Sequence, residues 1–229
     1  MARLIERPLD LARVRENVAR VREQIDAAHA RAVADGNALR DGGVELLAAI
    51  KYLPADQLPT LAEAGIRLVG ENRAQELQAK HAAHGELFEW DFIGQLQSRR
   101  VKEVAPCARL IHSVASESAL AALERCLPDA REGLRILIEV NIAGEEGKAG
   151  VAPGSVGEYV ERSPVPVAGL MTMPPLAADP EQSRPWFARL RELAREHGLE
   201  HLSIGTSQDY VVAVEEGASI VRIGTKLYD

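Results

Sequence analysis

Only two cysteines, Cys107 and Cys126, occur in 229 residues. They cannot build a disulfide framework, so the fold must rest on an apolar core, and a reducing cytoplasm suits them. No apolar run approaches the roughly 18 residues needed to cross a bilayer. The opening residues, MARLIERP, lack the apolar core of an export signal, so a cytoplasmic protein without membrane contact is expected. Positive charge is also in short supply: 27 Lys and Arg against 34 Asp and Glu leave a net charge of −7. That balance argues against a nucleic-acid groove as the working surface. Aromatic residues are only 4% of the chain, so Trp186 and Phe187, with Leu190, Leu193 and Ala194 at helical spacing, are read as core. What is present is ordinary for a folded domain, with 46% hydrophobic and 27% charged residues, which excludes a disordered chain.

The chain opens on a helix. Leu11, Val14, Val18, Val21, Ile25 and Ala28 alternate spacings of three and four and place one apolar stripe on one face. Asp35-Gly36 supplies the stop, so a long helix within 1–36 is expected to pack across the body of the domain. After Gly42-Gly43 short apolar runs alternate with amphipathic segments, the pattern of βαβ units on a parallel sheet. The runs predict strands at 44–50, 66–70, 89–93, 109–114, 134–142, 165–171, 201–205 and 219–223. Helices are predicted near 55–64, 71–82, 97–105, 116–127, 154–162, 180–197 and 209–216. That tally fits a (β/α)8 TIM-type barrel, for which about 250 residues is typical. The competing open doubly wound sheet requires a glycine-rich fingerprint after its first strand, and KYLP at 51–54 has none. No linker or repeat divides the chain, so 1–229 is read as one α/β domain, an extra helix followed by a barrel over 44–229.

In such a barrel chemistry gathers where strands run into βα loops. Lys51 follows an apolar run. An ammonium partly desolvated at its edge loses pKa and can attack a carbonyl, which makes Lys51 a candidate Schiff-base lysine. A lysine that simply reaches into solvent is the competing reading. At the other end of the chain Ser207 follows strand 7, and Gly224-Thr225 follow strand 8. Many barrels hold a phosphate at these two loops. Asp209 and Tyr210 begin a helix there whose dipole is expected to help. A lysine opposite a phosphate cradle points to pyridoxal phosphate (PLP), which carries both an aldehyde and a phosphate. Arg222 lies inside the apolar run SIVRI at 219–223 and needs an acceptor, either the pyridine nitrogen or a carboxylate such as Glu71 or Glu139. Because an arginine keeps its proton, a nitrogen it contacts stays unprotonated, which weakens the ring as an electron sink.

Seven blocks then carry a resemblance. ELLAAIKYLP at 45–54, VGENRAQE at 69–76, DFIGQLQS at 91–98, IHSV at 111–114, IEVNIAGEE at 138–146, GLMTMPP at 169–175 and VRIGT at 221–225 look like the pyridoxal phosphate homeostasis family. They stand in family order from about residue 45 to the end. That family in turn resembles the barrel domain of alanine racemase, so the resemblance implies a fold-type III PLP barrel with the vitamin B6 cofactor joined to Lys51. Carried over by position, Ser207, Gly224 and Thr225 match phosphate contacts, Arg222 matches the partner of the ring nitrogen, and Asn72 and Met171 match residues lining the cofactor. Ile50 and Gln208 depart from the family's usual serine and its Asn or Asp, and 146–150 lacks a serine before Lys148.

The expected function is PLP homeostasis: holding the cofactor, with no or negligible turnover and no catalytic residue assigned. Apo-enzymes that use PLP are the candidate recipients, and a monomer is expected. The alternative is an amino-acid racemase of the alanine racemase type. It needs an acid or base on each face of the substrate carbanion, and alanine racemase takes one, a tyrosine, from a second domain that is not expected beyond Asp229. Tyr52, Tyr159, Tyr210 and Tyr228 are the residues that could substitute. A sugar-phosphate barrel is a third reading and predicts a colourless protein. His81 and His84 lack partners at metal-ligand spacing and are expected to be exposed, so no metal is assigned. Arg99, Arg100 and Lys102 are expected on a solvated helix face.

Overall fold

A computed structural model describes Ile5 and residues 7–228, so the first part of the expected 1–36 segment lies largely outside the described residues. Helix α1 spans Leu11–Ala34. Asp10 starts it, its carboxylate accepting the N–H groups of Ala12 and Arg13 at 2.9 and 3.3 Å, two donors that the first turn leaves without helical partners. The predicted stop is observed: Gly36 takes φ +70°, and Asn37 N–H donates back to Ala32 O at 2.8 Å. Val14, Val18, Val21, Ile25 and Ala28 are buried, as the stripe requires.

Eight strands follow, each feeding a helix until the last. They begin with β1 (Glu45–Ala49), α2 (Leu58–Glu63), β2 (Leu68–Glu71), α3 (Ala74–His84) and β3 (Glu89–Phe92). Next come the single turn α4 (Val101–Val104), β4 (Leu110–Val114), α5 (Glu117–Cys126) and β5 (Arg135–Glu139). The chain continues through α6 (Val156–Arg162), β6 (Val167–Met171), α7 (Arg184–Glu196), β7 (His201–Thr206), α8 (Tyr210–Glu215) and β8 (Ile220–Ile223). All neighbours are parallel, and β8 pairs back onto β1 through Leu46↔Val221 and Leu47↔Arg222, closing a (β/α)8 barrel. Helix α1 packs over α8 and the final turn Thr225–Leu227, where Asn17 Nδ2 donates to Leu227 O at 3.4 Å.

Strand alternation sorts the side chains. Leu47, Leu68, Leu110, Leu137, Met171 and Ile220 form a cluster of their own, with Ile93 and Ala168 against it; their partners on the opposite faces join the larger cluster shared with the helices. Burial on both faces explains why the strands read as continuous apolar runs. Three expectations shift. Helix α3 starts at Ala74 because β2 runs on to Glu71. Strand β5 stops at Glu139, and Asn141 turns away from the ladder, its side chain bracketing Glu145 through hydrogen bonds of 2.8 and 3.1 Å. His81 and His84 are half-buried, not exposed, with His81 edge-on to Trp90 at 5.6 Å between centroids. Phe187, Leu190 and Ala194 face the core as read.

Candidate functional site

At the carboxyl ends of the strands the chain leaves the barrel wall through backbone that is tied down. After Ala49, Ile50 stays in register, its N–H donating to Gly70 O at 3.0 Å. The Ile50 carbonyl accepts from Leu53 N–H at 3.0 Å and from the buried Lys80 ammonium at 3.1 Å. Lys80 is neutralised by the fully buried Glu71 at 2.6 Å. The same carboxylate takes the N–H of Asn72 at 2.7 Å and of Arg73 at 3.3 Å, so one ion pair fixes both the β1 exit and the β2 exit. Tyr228 adds a third tie, donating its hydroxyl to Ala49 O at 3.1 Å. Burial, with Glu71 nearby, pushes that phenol well above the usual tyrosine range, so it remains a donor.

Lys51 stands on this anchored turn. Its side chain is exposed, and Nζ lies 4.8 Å from the centre of the Tyr52 ring. The expected partial desolvation is therefore corrected: the apolar run ends at Ile50, and the chain turns before the amine can sink into the wall. Asn72, half-buried after β2, keeps a buried Oδ1 without a hydrogen-bond partner among the described residues. Gly94 passes so close that a Cβ there would lie 2.0 Å from Asn72 O, which explains why a glycine follows β3. Met171 is buried at the end of β6 and belongs to the cluster with Leu47 and Ile220.

Strands β7 and β8 bring the remaining predicted residues together. Ser207 Oγ accepts from Gly224 N–H at 3.2 Å, and exposed Thr225 opens the final turn. Gly205 is required where β7 bends into α8: at φ +85° a Cβ would meet Ala213 Cβ at 2.6 Å. The Asp209 carboxylate does not cap α8. It turns back to Thr206 N–H at 2.8 Å and Ser183 Oγ at 3.0 Å, and α8 is only six residues long, so the dipole expectation is set aside.

Arg222 is buried, at 7% exposure, inside the barrel below this rim. Among the described residues it has no carboxylate partner. Glu71 is committed to Lys80, and Glu139 forms no ion pair with it. Its guanidinium instead donates to Ser203 O at 2.6 Å, to Ser203 Oγ, to Thr172 O at 3.3 Å and to Met173 Sδ at 2.9 Å. Burial pushes its pKa down to about 10, against the pull of Asp209 and Glu139. Burial likewise raises the Glu139 carboxyl, with Arg222 and Lys148 opposing. A charged group so placed, with neutral partners only, is costly unless an acceptor comes to it. Gly205, Thr206, Asp209, Met173 and Arg222 line a cavity of about 130 Å³ on this side of the barrel.

Several residues that shape the site escaped the sequence reading: Lys80, Asp91, His112 and Ser203. A usable signal was present for three of them. Asp91, His112 and Ser203 are polar residues in strands that are otherwise largely buried, and a polar group in such a run must find a partner inside. Lys80 sits among polar neighbours on α3 and carries no such signal.

Comparison with known proteins agrees with this fold. Residues 9–229 match the family model of the alanine racemase N-terminal domain. A pyridoxal phosphate homeostasis protein of Aquifex aeolicus is 40% identical over 224 residues, covering 93% of this chain and 96% of that protein. An unknown protein from Bifidobacterium adolescentis superposes with a TM-score of 0.84 at 28% identity, covering 99% of this chain and 100% of its own. PipY of Synechococcus elongatus, solved with PLP bound, gives 0.76 at 28% identity, covering 94% of this chain and all of that one.

Proposed function

This chain belongs to the alanine racemase N-terminal domain family, and within it to the pyridoxal phosphate homeostasis proteins; from that premise we propose that it binds PLP covalently through Lys51 and serves PLP homeostasis. The observation that carries the reading is Arg222, a buried guanidinium that among the described residues forms no ion pair or hydrogen bond with a carboxylate. The cofactor supplies an aldehyde for an amine, an anionic phosphate and a pyridine nitrogen that accepts a hydrogen bond. The residues present fit those three demands. Lys51 offers the amine on a turn pinned by Lys80 and Tyr228. Ser207, Gly224 and Thr225 offer a hydroxyl and the exposed ends of two adjoining strands to the phosphate. Arg222 offers a permanent donor to the ring nitrogen, and the partnerless Oδ1 of Asn72 and the side chain of Met171 line the remaining wall.

Negligible turnover is part of the proposal. A ring nitrogen that meets arginine stays unprotonated and draws electrons weakly. Tyr210 donates to Gln24 beneath α1 and Tyr228 to Ala49, so neither phenol is free for proton transfer. The whole chain is proposed to act as one barrel domain and as a monomer in the cytoplasm, where apo-enzymes needing PLP are the candidate recipients. No helix among the described residues is long and apolar enough to cross a membrane.

Borohydride reduction of the PLP-loaded protein, followed by peptide mass spectrometry, tests the assignment. A pyridoxyl label on the peptide bearing Lys51 is expected, together with loss of visible absorbance in Lys51→Ala. A label elsewhere, or colour that survives Lys51→Ala, refutes it.

A further inference from the structure

The barrel interior carries an unbroken polar line that ends on Arg222 and whose other members the proposed cofactor contacts leave unused. It starts near the amino-terminal mouth, where Arg109 bonds Glu45 at 2.7 Å and Asp91 at 2.8 and 2.9 Å. From Asp91 Oδ2 it reaches His112 Nε2 at 3.1 Å, and from His112 Nδ1 it reaches Ser203 Oγ at 2.8 Å. Ser203 Oγ then takes a hydrogen bond from Arg222. Asp91, His112 and Ser203 are wholly inaccessible or nearly so, and they come from β3, β4 and β7.

Counting protons gives this line a direction. Arg222 has donors only, so Ser203 Oγ accepts from it. The single serine proton is then free for the next neighbour, and His112 Nδ1 is the acceptor at hand. An ionised Asp91 has acceptors only, so His112 must present its one N–H from Nε2. Burial would push the Asp91 carboxyl up, but hydrogen bonds and charge from His112 and Arg109 outweigh it and hold the group below its ordinary range. Burial pushes the His112 imidazole down, with Arg222 and Arg109 adding to this and Asp91 opposing. The whole line therefore has one consistent arrangement of protons: Arg222 to Ser203 to His112 to Asp91.

We propose that Ser203, His112 and Asp91 are positioning residues, a one-way buried relay that aims the Arg222 guanidinium at the ring nitrogen of PLP. The proposal deepens the cofactor reading and rests on it. Ser203 occupies Nη1 of Arg222 through both its hydroxyl and its carbonyl, while Nη2 is held by Thr172 O and Met173 Sδ. The fork is thus fixed on two sides, which leaves its rotation no freedom when an acceptor arrives. Removing the Ser203 hydroxyl leaves that side of the fork held by the residue 203 carbonyl alone and strips His112 Nδ1 of its donor.

Two measurements test this. In protein free of PLP and selectively labelled with 15N-histidine, NMR at pH 7 is expected to show His112 as the neutral Nε2–H tautomer with Nδ1 accepting a hydrogen bond. In Ser203→Ala, PLP affinity is expected to fall about tenfold, the worth of one hydrogen bond to a charged group, with a shift of the visible band of the bound cofactor. A purely structural serine would lower the melting temperature and leave both affinity and band unchanged, which overturns the proposal. So does an Nδ1–H or doubly protonated His112 in the wild-type chain. Wild-type protein that takes up no PLP overturns the cofactor reading and the proposal with it. Uptake on Lys51 with wild-type affinity in Ser203→Ala overturns the proposal alone.

Discussion

Removing the Lys80 ammonium is the sharpest probe of how the amine-bearing turn is held. Lys80 is 3% exposed and bonds the Glu71 carboxylate at 2.6 Å and the Ile50 carbonyl at 3.1 Å, with the more exposed Glu76 carboxylate further off at 3.9 Å. In Lys80→Met the side chain keeps nearly its volume, so the cost is electrostatic and not a cavity. Breaking a buried pair from one side costs about 3–5 kcal/mol, because the surviving charge is left uncompensated. Glu71 retains two backbone N–H donors, from Asn72 and Arg73, which places the expected loss near the lower end, about 3 kcal/mol. The double variant Lys80→Met/Glu71→Gln removes the orphaned charge while the amide oxygen still accepts those N–H groups. Most of the stability should return, leaving a deficit of about 1 kcal/mol for the lost bond to Ile50. Urea unfolding of wild type, single and double variants measures both numbers, and the rate of pyridoxyl labelling at Lys51 reports the loosened turn. A single variant that loses less than about 1 kcal/mol, or a double variant no better than the single, refutes the account of this pair.

Gly94→Ala forces a Cβ to within 2.0 Å of Asn72 O, so the β2 and β3 exits must part. PLP affinity in a spectrophotometric titration should drop while far-ultraviolet circular dichroism keeps its helical content; an unchanged affinity counts against Asn72 as part of the cofactor wall. His201 is buried beside Arg40 and Arg135, and burial followed by those charges pushes its pKa down to about 4. Its unfolded value is about 6.5, so the unfolded chain binds the extra proton first. Stability is full above pH 6.5 and declines as pH falls toward 4, by at most roughly 1.4 kcal/mol per pH unit from this group. His201→Gln should flatten that slope in urea titrations between those pH values, and an identical slope in both proteins removes His201 as its source.

The fold was legible because its two periodicities are local. Strands buried on both faces must be continuously apolar, and runs such as LRILIEV at 134–140 announced themselves without reference to any neighbour. Helix α1 was equally plain, its stripe and its Gly36 stop both being short-range chemistry. Boundaries moved where tertiary ties intervened: β5 ends at Glu139 because Asn141 is captured by Glu145, and α3 waits until Ala74 because Glu71 is still pairing in the sheet. Of the candidate site, Lys51, Ser207, Arg222, Gly224 and Thr225 could be named because strand ends can be counted along the chain. The environment of Lys51 could not. Whether an amine after an apolar run is shielded depends on where the chain turns, and here it turns at once.

The order of residues alone pointed to a closed parallel barrel with an added helix, and to the loops proposed to carry an amine and an anion cradle. Barrel closure decided the rest. Asp91 and His112 are 21 residues apart, His112 and Ser203 are 91 apart, and Ser203 and Arg222 are 19 apart. Alternation says that each of them faces inward, but it is silent on height and on the strand opposite. Those are set by the stagger of eight strands around a ring, which brings four polar groups from distant segments into one hydrogen-bonded line.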